Sequence, residues 1–426
     1  MKVLWMCNVK TSRITTMQGE KSSVNIGGWL EGLSNSLLKT DNIKLVYCYP
    51  DYNRSKVESK AEGNFLYYAI PITQNEANVQ IGKKSVAVQA FNEILCNEQP
   101  DVIHFFGTEF LYTNAFIDCA IELKLQNRIV TSIQGLVSIY ALHFNAGLPE
   151  SVFKRKTLSE VKHKTSLRDR RENFYHRGIY EKEALRKTKY VIGRTSWDEA
   201  CTHLIAPNAK YFFCNETLRA PFYEGIWKFD RCNKHQIFIS QASYPIKGLH
   251  KVIEAVGFIK DDFPKIKIVV AGDNIYKTDY IHGNTYGRYL KKLIRKFNLE
   301  DNIEFVGSKN AIEMKNMMLE SNVFICPSSI ENSPNSLGEA MLLGVPCIAS
   351  DVGGVQDMIK RNEEGFIYPF EETYKLAYYI EKIFIDPKMA SEMGIKAREH
   401  ALNTHSAKKN NDRLMDIYRI IQQEQE

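Results

Sequence analysis

The chain has 426 residues, 44% hydrophobic and 25% charged, with a formal net charge of +6. This is the balance of a globular protein of two or three domains. No stretch approaches the ~20 apolar residues of a membrane span, and Met1 to Val9 is too short and too polar-flanked for a signal peptide, so a cytoplasmic protein is expected. Nine scattered cysteines with no C-x-x-C pair argue against a disulfide framework or a zinc site, and without a D-x-D triplet no metal is expected.

In chain order, Lys2 to Val9 reads as a first strand. A polar loop follows, and Gly27-Gly28 then opens a helix with Leu30, Leu33, Leu37 and Leu38 on one face. A glycine pair lets backbone N–H groups approach a ligand, although it also suits a plain helix start. Ile43 to Tyr49, Asp101 to Phe106 and Arg128 to Ile133 read as further strands, and Tyr190 to Gly193 as a late one. At their ends stand His104, Gly107-Thr108-Glu109, Gln134-Gly135 and Arg194. A lone histidine is more often structural than catalytic, and Arg194 has Asp198 four residues on as a candidate ion-pair partner. Residues 151–190 hold thirteen Lys/Arg and five Asp/Glu. That density fits a solvated helical surface, or a basic face for an anionic membrane or lipid-phosphate acceptor. Nucleic acid is not expected, because no recognition motif accompanies the charge.

The pattern restarts after an irregular polar stretch, 216–233, read as a linker. Gln236 to Ser240 is a strand, Leu249 to Ile259 a helix, Lys265 to Ala271 a strand, Tyr286 to Phe297 a helix and Asn302 to Val306 a strand. Strands alternating with helices imply parallel sheets and doubly wound domains, whose ligand crevices lie beyond the carboxyl ends of the strands. The expected division is 1–215 as one Rossmann-like domain, 234–404 as a second, a cleft between them, and 405–426 as a final helix whose apolar face (Leu414, Ile417, Tyr418, Ile421) needs a partner.

The stretch Ser328 to Ser350, SSIENSPNSLGEAMLLGVPCIAS, carries the most chemistry. It lies between two strand patterns, Asn322 to Cys326 and Val345 to Ala349. Ser333 suits an N-cap, Pro334 the first helical position, and Gly344 with Pro346 stops the helix. The first N–H groups, near Asn335, Ser336 and Leu337, would lack acceptors and carry the positive end of the helix dipole, which suits a diphosphate. Glu331 precedes the helix and can accept hydrogen bonds from ligand hydroxyls. Glu339 lies inside it and leans back toward the same mouth. By itself, that spacing also fits two solvated carboxylates. Lys247, before Gly248 at a strand-to-helix turn, faces the unfavourable end of a helix dipole, a conflict that a bound diphosphate would relieve. Gly353-Gly354 follows the next strand and suits the floor of a sugar pocket.

The residues E-N-S-P-N-S-L-G-E-A-M-L-L-G-V-P resemble the glutamate motif of family 4 glycosyltransferases, which have the GT-B fold, and the resemblance extends over most of the chain. It implies a retaining transfer of a hexose-type sugar from a UDP- or GDP-sugar to a glycan or lipid-linked glycan in surface-polysaccharide synthesis, on the cytoplasmic side of the membrane. By the same resemblance, Glu331 contacts the transferred sugar, Glu339 the nucleotide ribose, Lys247 the diphosphate and Gly27-Gly28 the donor phosphates or the acceptor, while Val306 lies by the base. Gln241 stands where the family often has an arginine, so Arg194 becomes a second candidate base for the phosphates. Gln134 stands where many members have a sugar-binding histidine, and His104 and Glu109 fall on the acceptor side. Two other readings stay open: a nucleotide-sugar epimerase or phosphorolytic enzyme of the same architecture, and a non-catalytic sugar-binding protein.

Overall fold

The computed structural model describes residues 1–20, 28–272 and 283–425. They form two compact units. The first comprises 1–138, 175–217 and 405–426, and the second 139–174 and 218–404. This partition differs from the expected one in two places. Residues 139–174 fold with the second unit, and residues from 218 onward are not a linker but part of its body. Phe222 and Trp227, both buried, anchor that stretch. The Trp227 indole donates to the Ser321 carbonyl (2.7 Å) and its backbone N–H to the Leu343 carbonyl (2.8 Å).

In the first unit, β1 (Lys2–Met6), β2 (Lys44–Asp51), β3 (Glu58–Glu62), β4 (Phe65–Pro71), β5 (Val102–Phe106), β6 (Ile129–Ser132), β7 (Tyr190–Gly193) and β8 (Lys210–Phe213) form one sheet in the order β3-β4-β2-β1-β5-β6-β7-β8. The pairings are parallel apart from the β3–β4 hairpin. Burial on both faces explains why β1 and β5 lack the alternation of apolar and polar residues, with His104 the one polar residue inside β5. Alternate residues serve opposite cores: Val3, Trp5 and Cys7 one, Leu4 and Met6 the other. The final helix, Ala407–Gln423, adds Leu414, Ile417, Tyr418 and Ile421 to the core that holds Trp5.

The second unit has β9 (Asn233–Ile239), β10 (Lys267–Val270), β11 (Ile303–Phe305), β12 (Ser321–Cys326), β13 (Cys347–Ser350) and β14 (Phe366–Tyr368), all parallel, in the order β11-β10-β9-β12-β13-β14. Successive strands run outward in one direction from β9 and then in the other from β12. The chain reverses between those two strands, and that is where a doubly wound sheet opens a crevice at its carboxyl edge.

Candidate functional site

The segments leaving β9 and β12 lock together at this reversal. Pro245–Lys247 forms a turn of 3-10 helix that ends at Gly248, with φ +68°. A Cβ on Gly248 would lie 1.7 Å from the Pro327 carbonyl oxygen, so only glycine permits the approach. The Ser329 N–H donates to the Ile246 carbonyl (2.7 Å) and ties the loops a second time. The Lys247 ammonium thereby meets Glu331, Nζ to Oε1 2.7 Å. The Ser328 hydroxyl donates to the same oxygen (2.7 Å). Burial works to lower the Lys247 pKa, but the Glu331 carboxylate and the Tyr244 and Tyr140 hydroxyls outweigh it and hold the ammonium above its ordinary value. The ammonium therefore stays charged, and with side-chain exposures of 19% for Lys247 and 8% for Glu331 the pair remains within reach of a ligand.

The backbone of Glu331 is clamped from below. Gly353 has φ +51°, a Cβ there would stand 1.9 Å from the Glu331 carbonyl oxygen, and the Gly354 N–H donates to that oxygen (3.1 Å). The glycine pair thus shapes the turn that carries the carboxylate. Above it, the Asn332 N–H donates to the Tyr140 hydroxyl (3.0 Å). Tyr140 comes from helix Val137–His143, and no local signal in the sequence tied it to Glu331, 191 positions on in the chain.

The helix after Glu331 is Asn335–Leu343. Its N-cap is Pro334, not the expected Ser333, because Pro334 takes an extended conformation (ψ 116°) instead of entering the first turn. No side chain caps it. The Leu337 N–H turns back to the Pro334 carbonyl (3.0 Å), so Leu337 drops out of the expected anion-binding trio. Among the described residues, the Asn335 and Ser336 N–H groups are left as the open donors.

Glu339 lies one turn further in, 2% exposed. Both of its oxygens are taken by Arg219, Nε to Oε1 2.6 Å and Nη2 to Oε2 2.7 Å. Burial raises its pKa, while the Arg219 hydrogen bonds and charge oppose that shift. Sequence reasoning missed Arg219 altogether, because it lies in the stretch read as linker. Gln241 is exposed just beyond β9 and contacts Ser243 (3.4 Å), and Val306, beyond β11, donates its N–H to the Val270 carbonyl (3.0 Å).

The remaining expected residues belong to the first unit. Gly27 lies outside the described residues, and Gly28 begins helix Gly28–Leu37. His104 does not line a surface. It is fully buried, with Nδ1 2.6 Å from the Tyr418 hydroxyl and Nε2 2.7 Å from Ser132 Oγ, and the Trp5 indole donates to the same Tyr418 hydroxyl (3.0 Å). Desolvation pushes the His104 pKa down to about 3, so the ring is neutral. Arg194 is also committed internally. Its guanidinium pairs with Glu216 and donates to the carbonyls of Ile133 (3.1 Å) and Gln134 (3.0 Å). The Asp198 carboxylate takes the Arg194 backbone N–H (2.9 Å) instead of its side chain, as a capping residue would. Glu109 pairs with Arg177 (2.9 Å). Gln134 keeps a buried amide nitrogen with no partner among the described residues.

The basic stretch 151–190 divides at 174/175 between the two units. Its part in the second unit is held by Glu160, which takes the Thr285 N–H (2.8 Å) and hydroxyl (2.6 Å) at the start of helix Thr285–Lys296. This leaves Leu158 81% and Val161 59% exposed beside exposed Lys162, Lys164 and Arg168. Among the described residues no helix is long and apolar enough to cross a membrane, and no cluster of three or more His, Cys, Asp or Glu could hold a metal ion.

Residues 228–400 match the family described as glycosyl transferases group 1. The amylovoran biosynthesis glycosyltransferase AmsK of Erwinia amylovora is 29% identical over 137 residues, 31% of this chain and 31% of that one. The chain spans less than half the length of the curated relatives it matches. Among solved structures, the sucrose-phosphate synthase of Thermosynechococcus elongatus aligns with a TM-score of 0.67 at 17% identity, over 99% of both chains. Anabaena Alr3699/HepE in complex with UDP-glucose aligns with a TM-score of 0.65 at 14% identity, over 98% of this chain and 99% of that one. The fold is therefore of the GT-B class, two Rossmann-like α/β units.

Proposed function

We propose, from the premise that residues 228–400 are a segment of the glycosyl transferases group 1 family, that this protein is a retaining glycosyltransferase. It moves a hexose-type sugar from a UDP- or GDP-sugar to a hydroxyl of a glycan or lipid-linked glycan in polysaccharide or cell-envelope synthesis. The observation that carries the reading is the Lys247–Glu331 salt bridge at the switch point, beside an uncapped helix mouth. A cation and open N–H donors suit a diphosphate, and a partly accessible carboxylate next to them suits a sugar's hydroxyls. The name of the HepE complex, which contains UDP-glucose, and that of AmsK, which refers to amylovoran biosynthesis, support the choice of donor and of product class.

The chemistry follows from charge. The bond between the anomeric carbon and the phosphate oxygen breaks, and the leaving diphosphate gathers negative charge. Lys247 and the Asn335 and Ser336 N–H groups stabilise it, an electrostatic contribution of about 3 kcal/mol for a single well-placed donor. The acceptor oxygen bonds to the anomeric carbon on the same face, and its proton passes to the departing phosphate oxygen. No protein base is needed on this route. Glu331 orients the sugar and steadies positive charge at the anomeric centre, and Glu339 holds the ribose. Gly27-Gly28, Gln241 and Val306 remain the proposed donor contacts, and Gln134 and Glu109 the acceptor-side ones. The exposed Leu158 and Val161 among lysines and arginines favour peripheral attachment to anionic lipid.

A panel of nucleotide-sugars tests the reading. Thermal shift should single out one donor, and incubation with acceptor should release its nucleoside diphosphate. A donor isomerised with no acceptor present would point to the epimerase, and sugar binding without nucleotide release to a binding protein. Sedimentation with vesicles tests attachment: binding should rise with anionic lipid and fall with salt.

A further inference from the structure

Glu339 presents an unusual arrangement for a carboxylate expected to bind a ligand. It is almost sealed, yet both of its oxygens already face a cation. The Arg219 fork meets them side-on at 2.6 and 2.7 Å, the geometry that fixes a carboxylate in one plane. Arg219 is itself held. It precedes the 3-10 turn Ala220–Tyr223, and its guanidinium lies 4.8 Å over the Phe222 ring, which is fully buried. The Tyr223 hydroxyl accepts the Leu218 N–H (3.0 Å) and closes the turn. Arg219 keeps 22% of its side chain exposed, and the nitrogens that meet Glu339 are Nε and Nη2, which leaves Nη1 outside the fork. The pair thus has a rigid inner edge and one further nitrogen.

We propose that Arg219 is a positioning residue for the donor: it holds the Glu339 carboxylate ionised and fixed as an acceptor for a vicinal diol, and offers Nη1 to the same ligand. This rests on the nucleotide-sugar reading, in which the diol is the ribose. Without the guanidinium, burial favours the protonated acid, which gives up one of its acceptor oxygens to an O–H. A bulkier or misplaced cation would leave the charge but lose the plane. The charged or titratable groups facing Glu339 are Arg219 and, more weakly, Tyr223, whose hydroxyl is raised by burial first and by the Glu339 charge as well.

The experiment is calorimetric titration of UDP and of GDP into the full chain from pH 5.5 to 8.5, for wild type, Arg219→Gln, Arg219→Lys, and Arg219→Gln combined with Glu339→Gln. Wild type should bind one of the two, with a weaker pH dependence than Arg219→Gln, because the guanidinium opposes the upward pull of burial on Glu339. Arg219→Gln should bind it about tenfold to a hundredfold more weakly near pH 7, as expected for losing a charged hydrogen-bonding partner. Its affinity should recover as pH rises, because the acid then ionises. Adding Glu339→Gln should abolish that recovery. Arg219→Lys should vary with pH about as wild type does yet bind about tenfold more weakly, having lost the fork, and it decides the matter if Arg219→Gln does not fold. Arg219 variants with wild-type affinity and pH profile would overturn the proposal. Wild type binding neither nucleotide would instead overturn the function on which it rests.

Discussion

The two sheets reverse direction at comparable places, between β1 and β5 in the first unit and between β9 and β12 in the second, yet the residues there have opposite chemistry. In the first, Trp5, His104, Phe106 and Tyr418 fill the space. The His104 and Phe106 rings stack at 3.9 Å, and the polar atoms of Trp5, His104 and Tyr418 are turned on one another or on Ser132. In the second, glycines at 248 and 353 draw the loops together and leave an ion pair partly open to solvent. A strand's carboxyl end is therefore a location and not yet a site. A neutral, fully partnered histidine closes such a place, whereas a partly exposed salt bridge beside uncapped N–H groups keeps it available.

The strongest challenge to this contrast is Glu331→Gln. Turnover should fall a hundredfold or more, about 3 kcal/mol in the barrier, with nucleotide affinity nearly kept, while the melting temperature drops because the Lys247 ammonium loses its charged partner. Glu339→Gln should do the reverse, weakening nucleotide binding while sparing turnover at saturation. Steady-state kinetics at saturating and limiting donor separate the two, and unchanged kinetics in both would remove the carboxylates from the mechanism.

In the first unit the same kind of surgery should cost stability and leave donor affinity alone. Tyr418→Phe strands the Trp5 indole N–H and the His104 ring, a loss of about 1–3 kcal/mol by denaturant melting. The buried ring also sets a pH signature. The folded pKa of His104 is depressed to about 3, below its unfolded value of 6.5, so only the unfolded chain takes up this proton between those values. Stability from this group is intact above about pH 6.5 and falls by about 1.4 kcal/mol per unit below it, levelling off near pH 3. His250, buried in the second unit, behaves alike. His104→Leu should flatten part of that acid slope, measured as the difference from wild type. An identical slope would mean that the ring is not buried as described.

The smallest effect expected is at Gln241, exposed beyond β9. Gln241→Arg adds a cation near the proposed phosphates and should tighten nucleoside diphosphate binding a fewfold at low salt, an advantage that fades as salt rises. If the affinity does not move, Lys247 and the helix mouth already neutralise the diphosphate.

The sequence by itself determined the alternation of strands and helices, the helix mouth after Glu331 and the glycines that let loops approach. These depend on apolar periodicity, turn conformations and unpaired N–H groups, which act over a few neighbouring residues. It also marked Lys247 and Glu331 as candidates, since each lies at a strand's end. Only the tertiary structure decided the partners. Arg219 meets Glu339 from 120 positions away, and Tyr418 meets His104 from 314. Partner choice and burial follow from strand order, which stretches of sequence read one at a time do not encode. The same Arg or His is a ligand contact when its polar atoms face an opening and part of the interior when the fold surrounds it.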